Sequence, residues 1–149
     1  MEELLMKVIF LDIDGVLNSN EYFERTKNNK LNRVELDIKC LKVLKEIIDE
    51  TKAYIVVTSS WRLLKSFEDT KRYLKEFGID IYDITKSIYG NRGEEIRDYL
   101  KNHDINKFAI LDDEIFTDFN ELKNYLVKTS FYNGGLKEEH KNILIKKLR

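Results

Sequence analysis

Two aspartates lie one residue apart at the end of an apolar run near the start of the chain. They are Asp12 and Asp14 in the stretch FLDIDGVLNS, residues 10–19, and Gly15 follows at once. A buried carboxylate without a partner is costly, so we expect positive charge to be bound at the tip of this run. Residues two apart on an extended chain point to the same side, and Gly15 lets the chain turn away without a side chain. The spacing therefore suits two carboxylates that act on one bound group.

Polar residues also follow other apolar runs. The run YIVV is followed by hydroxyls, an indole and a guanidinium, in the order Thr58, Ser59, Ser60, Trp61 and Arg62. A later run, FAIL, is followed by Asp112 and Asp113, and Arg92 stands at the start of a helical pattern between the two runs. If the runs are parallel strands, these groups converge on one edge of a sheet.

Four carboxylates in one crevice indicate a bound cation. Two unit charges ~4 Å apart repel each other by about 4 kcal/mol at an effective dielectric constant near 20. Raised carboxyl pKa values relieve part of this repulsion, and a divalent cation relieves more. Oxygen ligands without a nearby His or Cys favour magnesium over zinc. Hydroxyls beside a guanidinium are suited to binding phosphate, so the groups together are those of phosphoryl transfer.

The elements that position these groups follow from the periodicity of apolar residues. Short apolar runs predict strands at residues 8–13, 54–58, 79–84, 108–111 and 125–129. Stripes at helical spacing predict helices at residues 40–48, 66–77, 94–101 and 136–148, with Ser66 and Asp69 as a capping box and Gly78 as a C-terminal cap. This alternation predicts an α/β fold: three α/β/α layers, Rossmann-like, with a parallel sheet of about five strands.

The sequence resembles the haloacid dehalogenase (HAD) superfamily of hydrolases, and the resemblance runs nearly end to end. The superfamily has four motifs: DxDG after an apolar strand, a Ser or Thr ending the next strand, a Lys or Arg at a helix start, and paired acids after a later strand. They are matched, in order, by Asp12-Ile13-Asp14-Gly15, Thr58, Arg92 and Asp112-Asp113. Four elements in order at strand ends make a specific match.

The resemblance implies a magnesium-dependent phosphohydrolase that works through an aspartyl-phosphate. Asp12 would be the nucleophile. Asp14 would protonate the leaving oxygen and then deprotonate the hydrolytic water. The metal site would comprise the acids Asp12, Asp14 (through its backbone carbonyl), Asp112 and Asp113, the last directly or through water.

Two positions leave alternatives open in the phosphate site. Thr58 and Arg92 would bind the transferring phosphoryl oxygens. The third motif is more often lysine and Lys86 is nearby, so Lys86 is the alternative to Arg92. Three hydroxyls stand in a row, so Ser59 is the alternative to Thr58.

Neither place where superfamily members carry a cap has room for one. Forty-three residues separate Asp14 from Thr58, and residues 59–91 hold one helix and one strand. A site without a cap is open, which suits a phosphate on a nucleic-acid end or a protein, and a small molecule if another subunit supplies a lid. Capless members that resemble this chain are associated with RNA-repair enzymes, which by analogy favours nucleic-acid ends.

Trp61 and Arg62 are candidate substrate contacts because they adjoin the phosphate site, where an indole can stack on a base. The alternative is that Trp61 packs against the sheet and that Ser59 or Ser60 caps a helix near it. Residues 21–33 show little periodicity and predict an irregular segment after the first motif, either a solvated loop or a basic contact to a polyanion.

The composition predicts one domain, residues 1–149, in the cytoplasm. The net charge of −1 gives no overall attraction to nucleic acid or membrane, and no apolar run approaches the ~18 residues that cross a bilayer. The single cysteine, Cys40, excludes an internal disulfide and is expected in the core, and the amino terminus is unlike a secretory signal. The sequence does not indicate an oligomeric state.

Two other functions share part of this pattern. A phosphate- or phosphoprotein-binding module with a HAD fold would keep the site and turn over little, although the intact Asp14 argues against it. A receiver-type signalling domain places its acidic pair side by side, whereas Ile13 separates Asp12 and Asp14 here.

Overall fold

A computed structural model describes residues 6–28 and 35–149. The strands are β1 (Lys7–Leu11), β2 (Tyr54–Val57), β3 (Ile81–Ile84), β4 (Lys107–Asp112) and β5 (Leu126–Lys128). The helices are α1 (Asn20–Thr26), α2 (Ile38–Thr51), α3 (Phe67–Glu76), α4 (Arg92–Asn102) and α5 (Glu138–Lys147). Short 3₁₀ segments occupy Ser60–Leu63, Asn120–Tyr125 and Phe131–Asn133.

All pairs of neighbouring strands are parallel, in the order β3-β2-β1-β4-β5. The chain builds outward from the central β1 to β2 and β3 and then crosses to β4 and β5 on the other side. The carboxyl ends of β1, β2 and β4 therefore adjoin the point where the order reverses, which is where ligands bind in such sheets.

Hydrophobic residues cover both faces of the sheet. Alternate residues of β1 separate into two cores, with Ile9 and Leu11 on the face covered by α2, α3 and α5. Val8 and Phe10 lie on the other face, which α4 and the turn Asn120–Tyr125 cover. This confirms the predicted three-layer α/β architecture, and it explains why β1 is apolar from Val8 to Leu11.

The predicted strands are all present, with ends that differ by at most two residues. Helix α1 was not predicted and corrects the irregular interpretation of residues 21–28; residues 29–33 of that segment lie outside the described residues. This helix is short and mostly polar, so it has little periodicity to detect, and Ser19 caps it by accepting a hydrogen bond from the backbone N–H of Tyr22 at 3.1 Å.

The capping-box prediction at Ser66 was wrong. Ser66 precedes α3, but its side chain makes no capping hydrogen bond. The predicted end of the helix is confirmed, because Gly78 adopts φ +78° just after it. Cys40 is buried in the core as expected, and burial raises the pKa of its thiol to about 12.

The described residues contain no inserted unit of the size of a cap. Between β2 and α4 the chain forms only a 3₁₀ turn, α3, β3 and connecting segments. No helix in the described ranges is long and apolar enough to span a bilayer.

Candidate active site

Backbone pairing brings three polar residues to the same level at the carboxyl edge of the sheet. The amide of Asp12 donates to the carbonyl of Leu111 at 2.9 Å, and the amide of Thr58 donates to the carbonyl of Leu11 at 2.9 Å. Asp112, the last residue of β4, follows Leu111 directly. The strand register therefore places Asp12 between Thr58 and Asp112 on neighbouring strands, as the sequence predicts.

Three carboxylates form a cluster at this edge. Asp12, Asp112 and Asp113 each place a carboxylate oxygen within 4.8 Å of the other two. Asp12 is 8% exposed and Asp112 is 1% exposed. Burial raises the pKa of Asp12, and the Arg92 guanidinium offsets part of this rise. Burial also raises the pKa of Asp112, and the neighbouring Asp12 charge adds to the effect.

Arg92 brings a positive charge to this cluster from the first turn of α4. One guanidinium nitrogen lies 2.8 Å from a carboxylate oxygen of Asp112 and 3.6 Å from one of Asp12. The guanidinium also lies over the Phe116 ring, 4.6 Å from its centroid. Lys86 is exposed on the loop before α4, and its backbone carbonyl accepts a hydrogen bond from Arg62 at 3.2 Å. Of the two cations considered from the sequence, Arg92 is the one paired with the acids.

The hydroxyls after β2 have different surroundings. Ser59 caps the following 3₁₀ turn, its Oγ accepting from the amide of Trp61 at 3.2 Å. Thr58 is fully buried, and within the described part of the chain its Oγ1 has no hydrogen-bond partner. A buried hydroxyl without a partner is unusual in a folded protein. Thr58 therefore keeps hydrogen-bonding capacity for a ligand beside Asp12.

Asp14 does not join the acidic cluster through its side chain. One of its carboxylate oxygens accepts from the indole N–H of Trp61 at 2.9 Å, and the other accepts from the side-chain Nδ2 of Asn18 at 3.0 Å. Trp61 also packs against the core on the α2 face. The two carboxylates of the DxD pair thus have separate environments, one among acids and one among neutral donors.

Asn18 is a site residue that sequence reasoning did not single out. It is fully buried, and its side-chain oxygen accepts from the amide of Gly15 at 2.9 Å while its nitrogen donates to Asp14 and to the Glu35 carbonyl. The sequence indicates Asn18 only through its polar side chain, which directly follows the apolar residues Val16 and Leu17. Asn18 fixes the turn that carries Asp14.

Gly15 allows the close approach of the first and fourth motifs. It has φ +81°, and a Cβ added there would collide with the Asp113 carboxylate. The Gly15 carbonyl accepts from the Thr129 hydroxyl at 2.6 Å. The sharp turn expected at Gly15 is present. The Asp113 side chain occupies the space that a Cβ at Gly15 would need.

Arg62 is buried, which does not fit the substrate contact expected from the sequence. Its side chain is 2% exposed. All five N–H donors face acceptors at 2.6–3.2 Å, namely the carbonyls of Thr58, Ser59, Thr85 and Lys86 and the Glu95 carboxylate. Arg62 therefore ties the loops after β2 and β3 to α4, and its guanidinium is not presented to solvent.

Asp118 caps the amino end of α4, a role that the sequence does not indicate. Its two carboxylate oxygens accept from the amides of Gly93 and Glu94, both at 3.0 Å. These amides belong to the first turn of α4, which lacks a side-chain cap of its own at Asn91. Asp118 thereby fastens the loop after β4 to the helix that carries Arg92.

The donor set fits a hard divalent cation. The clustered groups are carboxylate oxygens, which Mg²⁺ prefers, and the Asp14 backbone carbonyl follows Asp12 in the same turn. Burial and then the neighbouring Asp12 charge raise the pKa of Asp112, and a cation among these oxygens would relieve the repulsion between the two carboxylates. The described cluster contains no His or Cys, the ligands typical of zinc.

Comparisons with known proteins agree with this geometry. The family described as "HAD domain in Swiss Army Knife RNA repair proteins" matches residues 8–140, which include every group of the cluster. A curated relative from Photorhabdus laumondii subsp. laumondii, D-glycero-alpha-D-manno-heptose-1,7-bisphosphate 7-phosphatase, is 33% identical over 94 residues. That match covers 56% of this chain and 49% of the relative, so the chain spans about half the length of the curated protein it matches. No solved structure matches the chain.

Proposed function

The chain belongs to the family of HAD domains found in Swiss Army Knife RNA repair proteins, and on that premise we propose that it is a magnesium-dependent phosphohydrolase acting through an aspartyl-phosphate on Asp12. The observation that carries the proposal is the carboxyl edge of the sheet. There Asp12 lies between Thr58, which follows β2 and whose hydroxyl has no partner among the described residues, and the acids Asp112 and Asp113 at the end of β4.

Asp12 is the proposed nucleophile. Its carboxylate oxygen forms a bond to phosphorus as the bond from phosphorus to the leaving oxygen breaks, and Asp14 gives its proton to that leaving oxygen. Burial beside the other acids favours a neutral carboxyl at Asp12, and the Arg92 guanidinium favours the ionised, nucleophilic form. Magnesium held by Asp12, Asp112, Asp113 and the Asp14 carbonyl would supply positive charge to these carboxylates and to the phosphoryl oxygens.

Asp14 is the proposed acid and base. After the first step its carboxylate takes a proton from a water molecule, whose oxygen attacks phosphorus. The bond from phosphorus to Asp12 then breaks, which frees the Asp12 carboxylate and inorganic phosphate. Hydrogen bonds from Trp61 and Asn18 hold the Asp14 carboxylate at a fixed orientation throughout.

Thr58 and Arg92 are the proposed phosphate ligands. The Thr58 hydroxyl has no hydrogen-bond partner in the described ranges, whereas Ser59 Oγ already accepts from a backbone amide, which favours Thr58 over Ser59. Arg92 contacts both Asp12 and Asp112, which favours Arg92 over the exposed Lys86. A guanidinium at this position can bind two phosphoryl oxygens as charge moves onto them.

A phosphate on a nucleic-acid end is the proposed substrate. The described residues place no cap over the carboxyl edge, and the matching family is named for RNA repair. The heptose bisphosphate phosphatase is a relative that acts on a small molecule, so a phosphorylated sugar is the competing substrate. The cytoplasmic location expected from the sequence stays a prediction.

Phosphate release by wild-type protein and Asp12→Asn, with and without magnesium, tests the proposal. The substrates are an aryl phosphate, nucleotides, a phosphopeptide, a sugar phosphate and oligonucleotides phosphorylated at either end. We expect release that requires magnesium and is lost in Asp12→Asn. The matched control is Asp104→Asn, which changes an exposed aspartate near the amino edge of the sheet.

Two results would contradict the proposal. Release by a folded Asp12→Asn protein at the wild-type rate would exclude Asp12 as nucleophile. Binding of magnesium and phosphate without release from any substrate would favour the binding module instead.

A further inference from the structure

A cavity of about 440 Å³ opens beside the proposed acid. Leu36, Trp61, Leu64 and Tyr73 form its apolar and aromatic wall. This volume is within the range of small-molecule sites. The described residues that line the cavity include none of Asp12, Thr58, Arg92 and Asp112, so it is a space adjoining the phosphoryl site and distinct from it.

Trp61 joins this cavity to the reaction. Its ring lines the cavity, while its indole N–H donates to the Asp14 carboxylate at 2.9 Å. The leaving oxygen must lie within hydrogen-bond reach of Asp14 to receive a proton. The organic group bonded to that oxygen therefore starts next to Trp61, at the mouth of the cavity.

The charges among the described residues that line the cavity are negative. Glu35 and Asp69 carry the charges among its described lining residues, and neither a lysine nor an arginine is among them. The Asp69 carboxylate has a partner, Arg72, at 2.7 Å, but that ion pair is largely exposed and screened. These described charges favour an uncharged group in the cavity over a continuing phosphate backbone.

The polar rim matches a group that carries hydrogen-bond donors. Ser66 and Thr70 add hydroxyls to the carboxylates of Glu35 and Asp69 around the aromatic wall. The amino groups of a nucleobase and the hydroxyls of a ribose can donate to these oxygens, and the base can stack on an aromatic wall. A tyrosyl ring would leave the rim oxygens without such donors.

We propose that this cavity, the Trp61 cavity, binds the terminal nucleoside of the phosphorylated substrate as the leaving group; the inference rests on the proposed phosphohydrolase function. The nucleoside enters with its phosphorylated carbon toward Asp14 and its base between Trp61 and the rim. The substrate is then a mononucleotide or the last nucleotide of a strand, whose next phosphate stays outside the cavity.

Fluorescence of the intact chain tests binding without any catalytic step. Trp61 is the single tryptophan of the protein, so its emission reports on this cavity and on the adjoining Asp14. We expect unphosphorylated adenosine to quench it saturably. Thr70→Phe, which fills the cavity from α3, should weaken adenosine binding at least tenfold, whereas Lys75→Phe, at an exposed position of the same helix outside the lining, should not.

Kinetics supply a second readout. The measured quantity is the ratio of kcat/KM for a nucleoside monophosphate, phosphorylated at the 3′ or 5′ carbon, to kcat/KM for acetyl phosphate, whose leaving group is too small to occupy the cavity. We expect Thr70→Phe to lower this ratio at least tenfold and Lys75→Phe to keep it. Circular dichroism of both variants shows that each is folded.

Failure of this inference can be distinguished from failure of the proposed function. Hydrolysis of acetyl phosphate without any quenching by adenosine would overturn the nucleoside site and leave the phosphohydrolase intact. A preference for phosphotyrosine peptide that Thr70→Phe abolishes would also overturn it, in favour of a protein substrate. Saturable adenosine binding without hydrolysis of any phosphate would support the site and overturn the proposed function.

Discussion

The indole N–H of Trp61 donates a 2.9 Å hydrogen bond to the carboxylate of Asp14, although 47 residues separate the two in sequence. The residues belong to loops that follow neighbouring parallel strands, so the sheet brings them together. Asn18 donates to the other oxygen of the same carboxylate at 3.0 Å. The proposed acid is thus oriented by side chains of the domain itself, without a contribution from a cap.

We predict that Trp61→Phe lowers kcat about tenfold. A hydrogen bond to a charged group contributes roughly 1.5 kcal/mol or more, which corresponds to about a tenfold change in rate. Phenylalanine keeps an aromatic ring against the core while removing the donor. Steady-state kinetics with acetyl phosphate and an aryl phosphate checks this. An unchanged kcat for both substrates would show that Trp61 does not position Asp14.

We predict that Gly15→Ala damages the metal site more than Gly90→Ala does. Both glycines have positive φ, +81° and +75°, so both substitutions carry similar backbone strain. A Cβ at Gly15 would collide with Asp113, whereas one at Gly90 would meet no atom within 4 Å. Magnesium titration by calorimetry should show affinity weakened at least tenfold in Gly15→Ala and near wild type in Gly90→Ala. Equal magnesium affinities in the two variants would show that the Gly15 turn does not affect metal binding.

We predict that Arg62→Met destabilises the protein by about 3 kcal/mol, because it breaks the buried Arg62–Glu95 ion pair and leaves Glu95, among the described residues, with only the more distant Arg92 guanidinium at 3.7 Å as a charge partner. The side chains of this ion pair are 2% and 3% exposed. The control is Arg72→Met, which removes an ion pair to Asp69 whose side chains are both 75% exposed, and it should cost about 0.5 kcal/mol or less. Urea unfolding measures both values. A similar cost for the two variants would mean that the buried pair has no special structural role.

We predict that the stability of the metal-free protein responds to pH through Asp112. Burial raises the pKa of this carboxyl above its ordinary value of 3.8, so the unfolded chain loses the proton first. The associated stability is fully present below that ordinary value and is lost as the pH rises through the folded value. The free energy of unfolding of wild type relative to Asp112→Asn should therefore fall between pH 5 and pH 8, by about 1 kcal/mol or more.

Magnesium should reverse this dependence, because its ligands bind as deprotonated carboxylates. Thermal unfolding in magnesium and in a chelator measures the effect at each pH. The increase in melting temperature should be larger at pH 8 than at pH 5 and absent in Asp112→Asn. An equal increase in Asp112→Asn would place the metal elsewhere.

The sequence predicts the parts of the site that depend on strand ends. Continuous apolar runs indicate buried parallel strands, and parallel strands bring their carboxyl ends to one edge, so the sequence alone predicts that Asp12, Thr58 and Asp112 lie together. Arg92 follows from the same reasoning because it opens the helix that leads into β4.

The remaining parts depend on which side chain pairs with which, and the sequence pattern does not contain this. Arg62 adjoins the phosphate site in sequence, yet its five donors face into the protein and bind loop carbonyls and Glu95. Asp118 resembles a surface turn residue, yet it caps α4 from 25 residues away. These contacts are set by loop conformations that have no periodic signal.

Detection of a phosphoryl group on Asp12 tests the central claim most directly. Asp14→Asn is incubated with magnesium and acetyl phosphate, whose acetate leaves without a proton from an acid, and is then denatured rapidly, digested and examined by mass spectrometry. The account predicts one added phosphoryl group on the peptide that contains Asp12, removable by hydroxylamine and absent from the double variant Asp12→Asn/Asp14→Asn. Two results would contradict the account, provided that the wild-type protein hydrolyses the same substrate. One is an Asp14→Asn protein that carries no phosphoryl group on the Asp12 peptide, and the other is a phosphoryl group on another residue.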